Sequence, residues 1–274
     1  MKKSFITYIP LIILLFLAGC SPHQRKTKRI INVTIEPQKY FIEQIAGDKF
    51  KIETMVPKGN NPENYDPTPS QIVALNKSEG YLRIGGLGFE NAWINRLLSN
   101  APHLLLFNES AGIKETPNKD PHTWESTKNV LTIANNICRM LIQLDKNNET
   151  YYIQQTIAFK KRVNILNDSI KFLLKNGNKS FVIYHPSLTY FARDYGLKQI
   201  VIEENGKTPS PMHLQDVIKD AKKNKVKIIF VQKEFDQHNA EIIAKSINAK
   251  IIQIDPIAHD WEKQMLYIAQ QLKH

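Results

Sequence analysis

Short runs of aliphatic and β-branched residues alternate along almost the whole chain with stretches whose apolar positions recur at helical spacing. Residues 30–35 (Ile-Ile-Asn-Val-Thr-Ile) read as a first strand. A helix over about 37–46, a strand over 50–56, a helix opened by Pro69 and running to about 77, and a strand over 81–84 follow. A helix over 89–98 and a strand over 104–107 complete the first half. The second half repeats the alternation, with strands at 181–184, 199–202, 227–231 and 250–254 and helices at 188–195, 212–223, 240–247 and 261–272. Short, continuously apolar strands separated by helices indicate parallel sheets covered on both faces.

Between the halves, residues 149–175 contain no glycine or proline and carry Ile153, Ile157, Val163, Leu166, Ile170 and Leu173 broadly at helical spacing. At 1.5 Å per residue such a helix extends about 40 Å, enough to cross two small domains. Gly177 is placed to end it. The expected fold class is therefore α/β, with two doubly wound domains containing parallel sheets joined by one long rigid helix. The N-terminal domain is placed at 30–145, the linking helix at 146–176 and the C-terminal domain at 177–274.

The first residues have a different character. Lys2 and Lys3 precede an apolar run from Ile9 to Leu17 that ends in Leu17-Ala18-Gly19-Cys20. The run is too short to span a bilayer, so residues 1–19 read as a secretory signal peptide. Small residues directly before a cysteine resemble a bacterial lipobox. That resemblance implies cleavage before Cys20, lipid on its sulfur, and a protein anchored to a membrane on its periplasmic or extracellular face. Residues 20–29 would then be a basic tether, in which Arg25, Lys26, Lys28 and Arg29 each add about 1 kcal/mol of attraction to anionic head groups. Removing residues 1–19 takes away two lysines and no acids, lowering the formal charge from +11 to +9. The other lysines are spread over helix faces and turns, without an aromatic-interleaved basic stripe or zinc-finger spacing, so nucleic acid is not an expected partner. Apart from Cys20 the only cysteine is Cys138, in an apolar helical stretch. An exported chain of this kind has no internal disulfide and depends on buried apolar surface, with Cys138 as a small core residue.

Four short segments place a potential metal ligand beside a proline: Asn61-Pro62-Glu63-Asn64-Tyr65-Asp66-Pro67, Asp120-Pro121-His122-Thr123-Trp124, Tyr184-His185-Pro186 and Ile254-Asp255-Pro256. X-Pro pairs keep the chain extended or turning, and His185 and Asp255 follow predicted strands directly, at carboxyl ends where α/β sheets bind ligands. The expected site is four side chains, Glu63, His122, His185 and Asp255, meeting in a cleft between the domains. His259 is close enough in sequence to Asp255 to support it.

These segments, together with Gly59-Asn60 and the stretch from His185 to Gly196, resemble the metal-binding segments of cluster A-I solute-binding proteins, the zinc and manganese receptors of ABC importers, and the stretch from Glu203-Glu204 through Pro209-Ser210-Pro211 is similar to that family as well. The resemblance covers residues 30–274. It implies metal held between two α/β domains, a membrane permease as partner, a monomeric receptor, and Zn2+ or Mn2+ as the transported ligand, with no catalytic residues. The family usually has His where this chain has Glu63. Imidazole suits zinc and added carboxylate moves the set toward manganese, whereas raw affinity favours zinc; the absence of a His-rich segment between Leu106 and Asp120 points the other way, and zinc is favoured on balance. Two other functions share these features: a zinc metallohydrolase, for which there is no His-Glu-x-x-His helix, and a surface adhesin, for which no residue pattern marks a protein-binding face.

Overall fold

In the computed structural model, which describes residues 28–204 and 206–273, eight strands form two four-stranded parallel sheets. The first contains β1 (Arg29–Val33), β2 (Phe50–Thr54), β3 (Ser78–Arg83) and β4 (Leu105–Asn108) in the order β2-β1-β3-β4. The second contains β5 (Ser180–Ile183), β6 (Lys198–Val201), β7 (Ile228–Gln232) and β8 (Lys250–Ile254) in the equivalent order β6-β5-β7-β8. Helices α1 (Glu36–Ala46), α2 (Pro69–Leu75), α3 (Gly88–Asn100) and α4 (Thr127–Leu144) belong to the first half, and α6 (Thr189–Tyr195), α7 (Pro211–Lys223), α8 (His238–Ile247) and α9 (Trp261–Gln271) to the second. In each sheet the strand order reverses next to its first strand, creating a crevice at the carboxyl ends where ligands of α/β folds bind.

A turn of 3-10 helix at Lys146–Asn148 leads into α5 (Glu149–Leu174), whose 26 residues extend about 39 Å. The expected long helix is present, but its buried stripe is Tyr152, Thr156, Phe159, Val163, Leu166, Ile170 and Leu174. Ile153 and Ile157 face solvent. Val163, Leu166 and Ile170 are buried as expected, whereas in the first turns the buried side is taken by Tyr152 and Phe159, aromatic residues that fill the seam against α1, α4 and α9. Gly177 does not stop the helix by a left-handed turn. A Cβ there would lie 2.3 Å from the Leu272 carbonyl oxygen, so glycine is needed for the end of α9 to approach.

The core follows from this seam. One apolar cluster runs from Ile31, Phe41 and Leu82 of the first half through Phe159 and Val163 of α5 to Phe181, Phe230 and Trp261 of the second. A second cluster, including Val182, Ile200, Val217, Ile229 and Ile243, fills another face of the second sheet. Polar contacts reinforce the junction: the Tyr40 hydroxyl donates to Glu262 at 2.8 Å, and His259 Nε2 meets Glu43 Oε2 at 2.8 Å. Cys138 is buried and free.

Candidate metal centre

Glu63 is set by a loop tied at both ends. Its N–H donates to Asn61 Oδ1 at 2.9 Å, and downstream Thr68 caps α2 in a capping box with Gln71. The loop is also pressed against the first turn of α3: Phe89 N–H donates to the Pro62 carbonyl at 2.9 Å, and Gly88 N–H to Glu63 Oε2 at 2.9 Å. The positive end of the α3 dipole therefore faces the carboxylate. Residue 88 has to be glycine, since a Cβ would lie 2.0 Å from the Glu63 carbonyl oxygen.

His122 is held by the aspartate two residues before it. Asp120 Oδ1 accepts the His122 N–H at 2.8 Å and faces ring Nδ1 at 2.7 Å. Burial alone raises the Asp120 carboxyl, but the bonds and charge supplied by His122, with a bond from the Thr189 side chain, together offset this and leave it below its ordinary value. The segment is anchored to the other half through two indoles. Trp124 Nε1–H donates to the Pro256 carbonyl and Trp261 Nε1–H to the Trp124 carbonyl, both at 2.9 Å.

His185 lies two residues beyond β5. Because β5 pairs in register with β6 (Ile183 opposite Val201) and Glu203 N–H bonds the Tyr184 carbonyl, Glu203 emerges beside it. Glu203 Oε2 lies 2.8 Å from His185 Nδ1. Gln232 at the end of β7 donates through Nε2 to the His185 carbonyl at 2.7 Å and the Ser187 hydroxyl at 2.9 Å, and Phe235 stacks on the imidazole with centroids 5.3 Å apart. A carboxylate on Nδ1 of each ring fixes the tautomer that leaves the opposite nitrogen with a free lone pair.

Glu63, His122 and His185 converge: one ligand atom from each lies within 4.8 Å of the others, and the two imidazole centroids are 5.1 Å apart. Glu63 Oε1 and His185 Nε2 are buried without a hydrogen-bond partner. Buried polar atoms left in this state are costly unless a cation or water satisfies them. They border a cavity of about 30 Å³ also lined by Gln232, Glu234, Phe235 and Pro256, enough for one water-sized species. A larger cleft of about 680 Å³ starts from the same three side chains and passes Asp120, Thr189 and Arg193. Two neutral nitrogens and one anionic oxygen aimed at so small a space form a donor set for a divalent transition metal.

Of the four side chains expected to meet, the structure brings together Glu63, His122 and His185. Asp255 lies outside the group, with Oδ2 3.0 Å from Lys233 Nζ. His259 does not support Asp255; the turn closed by Ala258 N–H on the Asp255 carbonyl carries its ring to Glu43. Cys20 and the signal segment lie outside the described residues. Sequence reasoning assigned no role to Asp120, Glu203, Gln232 or Gly88. Asp120 stands within the Asp-Pro-His segment and was visible, whereas Glu203, 18 residues from His185, becomes a neighbour only through strand register.

No described helix is long and apolar enough to cross a membrane. The sequence profile described as ZnuA, zinc-uptake complex component A periplasmic, matches residues 31–273. The crystal structure of ZnuA superposes with a TM-score of 0.86 at 36% identity, covering 90% of this chain and 98% of that one. The metal ABC transporter substrate-binding lipoprotein FimA of Streptococcus parasanguinis is 27% identical over 246 residues, 81% of this chain and 78% of FimA. The manganese ABC transporter substrate-binding lipoprotein scaA of Streptococcus gordonii is 26% identical over 278 residues, 92% of this chain and 88% of its own. With a profile that spans nearly all the described residues, the chain belongs to the ZnuA family of metal-binding, non-enzymatic receptors of ABC transporters.

Proposed function

We propose that this chain captures one zinc ion between Glu63, His122 and His185 outside the cytoplasm and delivers it to the membrane permease of an ABC importer. The observation that carries the reading is the pair of carboxylate-backed imidazoles facing the unpartnered Glu63 oxygen across an ion-sized cavity. Two imidazoles and one carboxylate favour zinc, both by softness and by the Irving–Williams order. Manganese is the second reading, supported by the name of the scaA relative and by the carboxylate that replaces the family histidine.

The domain reading fits this role. Residues 30–145 and 177–274 form the two lobes and 146–176 the strut, with the seam of α1, α4, α5 and α9 holding the lobes together. Lipid on Cys20 keeps the receptor, acting as a monomer, at the membrane; the lipoprotein names of FimA and scaA support this. The test is elemental analysis of protein purified without added metal, followed by competition of Zn2+ against Mn2+. About one zinc per chain, retained against a large excess of manganese, is expected. A chain that takes up neither metal would overturn the reading, and manganese retained against zinc would replace zinc with the second reading.

A further inference from the structure

The carboxylate that the sequence placed fourth, Asp255, stands at the edge of the site. Register pairs Gln232 of β7 with Ile254 of β8, so Lys233 and Asp255 leave the sheet side by side as the next residue of each strand. Their side chains meet at 3.0 Å, ammonium on carboxylate. They border a cavity of about 550 Å³ separate from the ion-sized one, and Glu234 and Ile257 line both. Pro256, directly after Asp255, also lines the ion-sized cavity. The backbone directly after Asp255 therefore reaches the wall of the ion-sized cavity, while the Asp255 side chain is engaged with Lys233.

We propose that Lys233 competes with the captured ion for the Asp255 carboxylate and thereby sets how tightly the chain holds its cargo, an inference that rests on the receptor reading above. With only Glu63, His122 and His185 as ligands, the ion keeps an open fourth coordination position that a second carboxylate can fill. Lys233 offers the opposing attraction. Its side chain is 55% exposed and makes one contact with Asp255, which is 25% exposed, a kind of pair that is weak and readily exchanged. It does not exclude Asp255 from the ion, but its loss must precede ligation, and its return favours release. A receptor that must surrender its ion to a permease is served by a fourth ligand that can be withdrawn.

The test is a double-mutant cycle on the full chain, with Zn2+ affinity read by competition against a chromophoric chelator at fixed ionic strength. Lys233→Met is expected to tighten zinc binding about fivefold, the factor that corresponds to a partly exposed ion pair. In an Asp255→Asn background the same change is expected to have almost no effect. Equal tightening in both backgrounds would mean simple charge repulsion between Lys233 and the ion and would overturn the proposal, as would no tightening in the native background. Both side chains are at least partly exposed, and coincident thermal melts of parent and variants would verify an unchanged fold. If the unmutated chain binds no zinc, the receptor reading itself falls, and that outcome is read from the first arm alone.

Discussion

Replacing Gly88 by alanine tests the link between packing and the site most sharply. The added Cβ would lie 2.0 Å from the Glu63 carbonyl oxygen, 2.8 Å from its carbonyl carbon and 2.9 Å from its Cα, all backbone atoms that cannot rotate away. The Glu63 loop must therefore retreat by about 1 Å or more to reach van der Waals distance. Overpacking of this kind costs about 1–3 kcal/mol, and the better helix propensity of alanine returns at most about 1 kcal/mol at the start of α3. For a chain of this size the melting temperature is expected to fall by roughly 2–8 °C. In the proposed site the retreat would draw the carboxylate away from the ion, and it would lengthen the bond from Gly88 N–H. Metal bonds tolerate displacements of only about 0.2 Å, so zinc affinity is expected to fall about tenfold or more. Calorimetric melts without metal and chelator competition with zinc give the two quantities separately. In a Glu63→Ala background the effect of Gly88→Ala on affinity should vanish while the effect on stability remains. A Gly88→Ala protein that melts and binds like the parent would refute the argument that this glycine places the ligand.

Other consequences follow from the groups behind the ligands and from the core. Asp120→Asn and Glu203→Gln remove the carboxylates that orient His122 and His185; each should weaken zinc binding about 10- to 100-fold with little change in urea midpoint, and unchanged affinity would show that the rings are held by packing alone. Trp261→Phe removes the donor to the buried Trp124 carbonyl, and urea denaturation should show a loss of about 1–3 kcal/mol; no loss would contradict the role of the paired indoles. Burial pushes Glu109 well above the ordinary carboxylate range, so the folded chain keeps a proton that the unfolded chain releases above about pH 4.3. Its contribution to stability is then greatest in acid and is lost as pH rises toward the folded value, by up to about 1.4 kcal/mol per pH unit. Glu109→Gln, which does not titrate, should therefore gain on the parent between pH 5 and 7.5 in urea melts, and parallel pH profiles would contradict the assignment.

Much of the fold was legible because local signals agreed with the global arrangement. The absence of glycine and proline from 149–175 announced α5, and Pro69 and Pro211 stand at the first turns of α2 and α7. Periodicity placed Val163, Leu166 and Ile170 on the buried side but not the phase of the first turns: Ile153 and Ile157 carry the same apolar character as Tyr152 and Phe159, and only the shape of the seam decides which pair is buried. β3 begins at Ser78, before its apolar run, because β1 supplies a pairing partner to residues with little strand preference of their own. At the site, His122 and His185 were readable from neighbouring prolines and from position beyond a strand or within a turn. Glu203 beside His185 and Lys233 beside Asp255 were not, since both contacts arise laterally, from the register of parallel strands that no local pattern specifies. Gly88 is similar: its requirement comes from a loop 25 residues earlier.

The most direct measurement is an anomalous difference map, collected at the zinc absorption edge from crystals grown with zinc. The account predicts one strong peak per chain between the lobes, with one nitrogen each of His122 and His185 at about 2.0–2.1 Å and a Glu63 oxygen at about 2.0–2.2 Å. A peak bound by other side chains, or no peak within reach of these three, would contradict it.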